Sequence, residues 1–91
     1  MAFKGMDVDI LTGVHTQLTS LQGQLDTLIQ QLTTQVNTAH EHWDGSDSTQ
    51  FESEWASSHK VALTNASHAI TSFASKLNSN IQAQEQTSST Y

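Results

Sequence analysis

Histidines and carboxylates are the residues of this 91-residue chain that could do chemistry. His40 and His42 flank Glu41, but side chains two positions apart on a helix point in very different directions, whereas helical metal pairs use a spacing of four. His59 and His68 lie on opposite helix faces. Because three convergent ligands cannot be assembled from these positions, we predict no metal site.

Acidic side chains cluster at the middle of the chain, and they are Glu41, Asp44, Asp47, Glu52 and Glu54. Paired carboxylates act as acid and base only in a concave site that shifts their pKa values. A junction between two helices offers no such pocket, and no Gly-x-Ser-x-Gly motif occurs. A cofactor-binding bundle would place ionisable ligands along its apolar face, where only His59 is found. We therefore predict neither an enzyme nor a bound cofactor.

The composition excludes several classes of partner. The net charge is −6, with three lysines and no arginine, so no basic cluster exists to hold nucleic acid or an anionic membrane. The chain has no cysteine for a disulfide and no proline to interrupt a helix. No apolar stretch is long enough for an integral membrane segment or a secretory signal.

The first half of the chain has apolar residues at steps of three and four. This spacing predicts an amphipathic helix over about 7–43. Asp7 fits its N-cap, and Gly45 can take the left-handed conformation that ends a helix. The stripe consists of Leu11, Val14, Leu18, Leu21, Leu25, Leu28, Leu32, Val36, Ala39 and Trp43.

The second half repeats this pattern and predicts a second helix over about 48–83, after a turn at 44–47. Asp47 and Gln50 resemble a capping box at its start. Residues 84–91 have no apolar period, so we expect a flexible tail. The second stripe consists of Phe51, Trp55, His59, Leu63, Ala66, Ile70, Phe73, Leu77 and Ile81.

Two helices of similar length joined by a short turn predict one all-α domain over 1–91, an antiparallel helical hairpin. Two helices cannot cover stripes this broad, so we expect the hairpin to dimerise into a four-helix bundle. The stripes contain no buried polar residue that would impose pairing rules, which slightly favours a homodimer over a heterodimer. The expected core and dimer interface comprises Leu11, Val14, Leu18, Leu21, Leu25, Leu28, Leu32, Phe51, Trp55, Ile70, Phe73 and Leu77.

The turn carries a recognisable motif. Trp43-Asp44-Gly45 continues through Asp47 and Phe51 to give W-x-G-x-D-x-x-x-F-x-x-x-W. Together with a Gly-Met-x-Val-Asp start and a Gln-x-x-Ser close, this pattern resembles the WXG100 family, also called ESAT-6-like proteins. The resemblance covers nearly the whole chain.

The resemblance implies a small substrate of the type VII (ESX) secretion system of Gram-positive bacteria and mycobacteria. Such proteins act as effectors or as carriers for larger exported partners. In this family Trp43 and Gly45 would form half of an export signal read by the secretion ATPase. The other half, Tyr-x-x-x-Asp/Glu, does not occur here, because Tyr91 is the single tyrosine. We therefore expect a partner or a different signal to supply it.

Two alternatives remain open. The chain could be an intracellular chaperone-like partner that covers a helical domain of a toxin, or it could be a hairpin that polymerises head to tail into filaments. The leading expectation is a protein secreted by the type VII route, cytoplasmic before export.

Overall fold

The structure, a computed structural model, describes residues 6–90, and no strand occurs in that range. Helix α1 spans Val8–Glu41 and α2 spans Ser46–Glu54. A π-helical turn, Trp55–His59, then leads into α3, which spans Lys60–Thr90. We call the continuous helix from α2 to α3 the second arm. The chain reverses between α1 and the second arm, so the predicted all-helical hairpin is confirmed. Gly5 and Tyr91, named above, lie outside the described residues.

Helix α1 begins where the sequence predicts. The side chain of Asp7 accepts a hydrogen bond from the backbone N–H of Ile10 at 3.2 Å, which confirms the N-cap. Asp9 lies in the first turn, where the helix dipole favours a negative charge.

The seam between the arms uses a face of α1 that only partly overlaps the predicted stripe. Ile29 and Val36 are its buried residues, while Val14, Leu21 and Leu28 are exposed. The half-buried leucines belong both to the predicted stripe and to the observed seam. Relative to the predicted arrangement, α1 is therefore rotated about its axis toward Ile29. The seam positions of α1 are Leu11, His15, Leu18, Gln22, Leu25, Ile29, Leu32 and Val36.

The second arm also presents an unexpected face. His59, Ala66 and Phe73, predicted on its stripe, are exposed. The reason is the π-helical turn, in which the N–H of Lys60 bonds to the carbonyl of Trp55 and one extra residue enters the helix. Beyond this turn the seam positions are Leu63, Ser67, Ile70, Ala74, Leu77 and Ile81.

The expectation of a seam without buried polar residues is wrong. Ser48 is completely buried and Ser67 is 2% exposed. A serine hydroxyl is small enough to lie in a helix seam when a side chain on the facing helix can bond to it. The prediction that only His59 faces the seam is also wrong, because His15 is half-buried there.

The helix ends differ from the predicted bounds near the turn and at the carboxyl end. Helix α1 stops at Glu41 rather than at 43, with His42 as its C-cap. The second arm starts at Ser46, so Asp47 lies in the first helical turn and does not form the expected capping box. It continues as helix to Thr90, past the predicted end at 83.

The π-helical turn generates a prediction about chain length. Deleting Ser58 removes the extra residue, so a regular α-helix would place the same residues in the seam. We expect unchanged or higher stability in urea unfolding. Deleting Ser72 instead rotates Ala74 and Ile81 out of the seam and should cost about 2 kcal/mol or more. Equal destabilisation by the two deletions would contradict this account of the π-helical turn.

Candidate association surface and elbow

One side of the hairpin carries most of the large exposed apolar side chains of the described residues. On α1 each of these exposed residues comes one position before a seam residue. Consecutive residues are about 100° apart on a helix, so all of them lie to the same side of the seam. Phe73, which is 67% exposed, has the same relation to Ala74 on the second arm. We call this side the apolar edge, and its exposed members are Ile10, Val14, Leu21, Leu28, Phe51 and Phe73.

The apolar edge contains a groove that draws on both arms. Val14 of α1 and Phe73 of α3 line it together, so the two arms present their apolar edges on one side. Its volume is about 490 Å³, and Lys76 is its one charged lining residue. The full lining is Leu11, Val14, Leu18, Phe73, Lys76, Leu77 and Asn80.

None of the twelve residues predicted for the core and interface is buried within the hairpin. The exposed ones are Val14, Leu21, Leu28, Phe51 and Phe73. The half-buried ones are Leu11, Leu18, Leu25, Leu32, Trp55, Ile70 and Leu77. Of the residues that close the hairpin, Val36 and Ile81 lie on the predicted stripes, whereas Ile29, Ser48, Ser67 and Ala74 do not.

The signal for the missed residues was present in the spacing. Ser67 and Ala74 fall at steps of four and three between Leu63, Ile70 and Leu77. The predicted stripe takes Ala66 and Phe73 instead, because each is more apolar than the buried residue that follows it.

The opposite side of the seam is polar, and its contacts join the two arms at three levels. On α1 the participating residues are Asp26, Thr33 and His40, which are spaced by seven, and each follows a half-buried apolar residue. Their partners on the second arm are Ser67, Trp55 and Ser48. We call these three contacts the polar ladder.

The level at Ser67 is a closed network of three side chains. The Ser67 hydroxyl donates to Asp26 Oδ1 at 2.6 Å, and Gln22 Nε2 donates to Asp26 Oδ2 at 2.6 Å and to Ser67 Oγ at 3.0 Å. The Asp26 carboxylate thus accepts two short hydrogen bonds from its neighbours, as a charged acceptor does. The network satisfies a hydroxyl that has almost no access to water.

The level at Trp55 fixes an aromatic ring against α1. The indole N–H of Trp55 donates to Thr33 Oγ1 at 3.2 Å, and the Thr33 hydroxyl donates to the carbonyl of Ile29 at 2.8 Å. An indole N–H can only donate, so its orientation depends on this acceptor.

The level at Ser48 lies beside the elbow, which we define as residues 42–45. His40 Nδ1 lies 2.8 Å from Ser48 Oγ, within hydrogen-bond distance, and 3.5 Å from Glu52 Oε2. The side chains of both His40 and Glu52 are substantially exposed, so water weakens the contact between them. The contact with the buried Ser48 is therefore the one that ties α1 to α2.

Two residues of the Trp-x-Gly motif shape the elbow. Trp43 packs on Phe51 with ring centroids 5.6 Å apart, and each residue is 42% exposed. Gly45 has φ 113° and ψ 175°, a conformation essentially confined to glycine. It precedes α2 as its N-cap and does not terminate α1 directly, which corrects the predicted left-handed helix end.

The described residues contain no group of three or more histidines and carboxylates placed to hold a metal. The acidic residues at the elbow are spread over an exposed surface; only Glu52 is half-buried. Across residues 6–90, no helix combines the length and apolar character that a bilayer crossing requires.

No protein-family model, curated protein or solved structure matches this chain. The class of protein that the fold defines is a helical hairpin with one apolar edge and one polar edge.

The backbone at the elbow generates a prediction. Gly45→Val should destabilise the fold by about 1–3 kcal/mol, because a β-branched residue is strained at this positive φ. Gly23→Ala is the control, since an added Cβ at Gly23 meets no atom within 4 Å. Alanine in a helix interior should stabilise by about 0.5–1 kcal/mol. Thermal unfolding followed by circular dichroism measures both changes, and a neutral Gly45→Val would contradict the assignment.

Proposed function

We propose that this chain is a non-enzymatic protein that acts by helix–helix association, pairing with a second copy through the apolar edge to form a four-helix bundle. Its resemblance to WXG100 proteins supports the further proposal that it is a substrate of a type VII secretion system, as an effector or as a carrier of a larger exported partner. Export would begin from the cytoplasm.

The surface of the single hairpin carries the first part of this proposal. The accessible area is 6759 Å², whereas a compact folded monomer of 10.0 kDa exposes about 5200 Å². The excess of roughly 1500 Å² is well above the ~800 Å² that one partner buries in an interface of standard size. The hairpin therefore has more than enough accessible surface to form one.

The shape of the molecule supports the same proposal. The radius of gyration is 20.2 Å, against about 12 Å for a compact domain of this length. The buried apolar core of the described residues is limited to Ile29, Val36, Ala74 and Ile81. A core this small stabilises a fold weakly, and a partner that covers the apolar edge would enlarge it.

The partner is a second copy because the apolar edge is nearly uncharged. On α1 the edge positions from Val14 to Leu28 carry no charged side chain, and Lys76 is the one charged residue that lines the groove. Two such edges can meet without burying like charges, which would cost several kcal/mol. The elbow carboxylates, whose charges repel one another, remain accessible to solvent.

The association surface can be tested with two residues of equal exposure. Leu28 and Val61 are each 47% exposed, but Val61 lies away from the apolar edge. Leu28→Gln should raise the dissociation constant about tenfold or more, because a desolvated leucine contributes roughly 1.5–3 kcal/mol. Val61→Gln should leave it unchanged. Sedimentation equilibrium over a range of concentrations gives both constants.

The same measurement separates the alternatives. A closed pair keeps about twice the 10.0 kDa chain mass as concentration rises. Mass that keeps growing indicates open filaments, and mass that stays at one chain contradicts the proposal.

The export function makes a separate prediction at the elbow. Trp43→Arg should reduce export by a type VII host while leaving helix content unchanged, because Trp43 lies at the surface and outside the helices. Val61→Arg introduces the same charge at another exposed site and should be exported normally. Immunoblots of culture filtrate and cell lysate report both. Normal export of Trp43→Arg would argue against recognition of the Trp-x-Gly turn.

A further inference from the structure

Both arms of the hairpin bury polar or small residues at positions where an adjacent, more apolar residue stays exposed. On α1 the seam takes His15 and Gln22, while the adjacent Val14 and Leu21 stay outside. Apolar burial favours the opposite choice at these two levels, because leucine and valine gain more from leaving water than glutamine and histidine do. The same inversion occurs on the second arm, which buries Ser67 and Ala74 and exposes Ala66 and Phe73.

The competing arrangement is a rotation of α1 about its own axis. Turning α1 by about 50°, half the angle between consecutive residues, would bring Val14, Leu21 and Leu28 into the seam. The half-buried leucines would remain near the seam, so the rotation loses little apolar contact. It would expose Ile29, and it would turn the polar ladder residues of α1 away from the second arm.

The polar ladder opposes that rotation. Turning α1 separates Asp26 from Ser67, Thr33 from Trp55 and His40 from Ser48. A buried polar group without a partner costs about 1–3 kcal/mol, and no buried side-chain polar atom among the described residues lacks one in this arrangement. Hydrogen bonds are directional, so they favour one rotation of α1 even where apolar contacts stabilise several rotations about equally.

We infer that the polar ladder sets the rotation of α1 in the hairpin and thereby keeps the apolar edge free for a second copy. The second half of this inference rests on the proposed function, whereas the first half concerns the single chain. Asp26, Thr33 and His40 act as positioning residues, because they determine which side of α1 a partner meets without contacting that partner.

The experiment uses the absence of cysteine from the chain. Leu28→Cys and Ile29→Cys are adjacent reporters, of which the first is exposed and the second is buried in the seam. At a concentration where the chain is monomeric, we expect iodoacetamide to modify Cys at 28 about tenfold or more faster than Cys at 29.

The polar ladder is then removed with Asp26→Ala, Thr33→Val and His40→Ala in each reporter chain. We expect the order of reaction rates to reverse, because rotation buries position 28 and exposes position 29. General loosening of the fold would speed the reaction at 29 without slowing it at 28. We also expect the reporter-free triple variant to sediment as a monomer where the unaltered chain is a dimer.

The matched control is a second triple variant of α1. Thr16, Thr27 and Thr34 donate only to carbonyls of their own helix, so Thr16→Ala, Thr27→Ala and Thr34→Val leave the polar ladder intact. This control should keep the original order of rates and the original mass.

The outcomes distinguish the two claims. An unchanged order of rates in the ladder variant overturns the inference and leaves the proposed association standing. If the order of reaction rates reverses but the ladder variant still sediments as a dimer, the link between the polar ladder and the apolar edge is overturned. An unaltered chain that is monomeric at every concentration overturns the proposed association, while the rates still test the rotation.

If the triple variant loses its helical circular dichroism, Thr33→Val alone takes its place, and a ratio of rates that does not shift toward position 29 overturns the inference.

Discussion

A polar group removed from water must find a partner, and this constraint acts along one side of the hairpin seam. Ser48 and Ser67 are the polar residues that the seam buries, and each bonds to a side chain of α1. Between them the Trp55 indole finds its acceptor on Thr33. These contacts distinguish one rotation of α1 from its neighbours, whereas the half-buried leucines fit several. In this rotation of α1 the apolar edge stays accessible.

The sequence was sufficient to predict the helical hairpin, but not to predict which faces of the two arms meet. Asp7 and the absence of proline mark a long first helix, and Gly45 marks the reversal. The rotation of the arms could not be read from apolar spacing, because two stripes overlap on α1 and share Leu18 and Leu25. Choosing between them requires the hydrogen bonds of Gln22 and Asp26, which connect residues far apart in the sequence.

The π-helical turn shows why the second arm was harder to predict than α1. Spacing rules assume a constant number of residues per turn, and the wider turn at Trp55–His59 breaks that assumption once. Downstream of it, Phe73 moves from the expected seam to the surface. The elbow was partly predictable for a related reason: Gly45 signals a positive φ, but not which of the adjoining helices it caps. That the apolar edge forms an interface with a second copy stays a prediction.

The dimensions of the hairpin, 69 × 17 × 17 Å, affect how it moves in solution. A rod experiences more friction than a sphere of equal mass, so one hairpin diffuses like a heavier globular particle and leaves a gel-filtration column early. Two rods joined side by side double the mass while adding thickness rather than length. Their frictional ratio falls, and pairing would therefore shift the elution position less than the doubled mass implies.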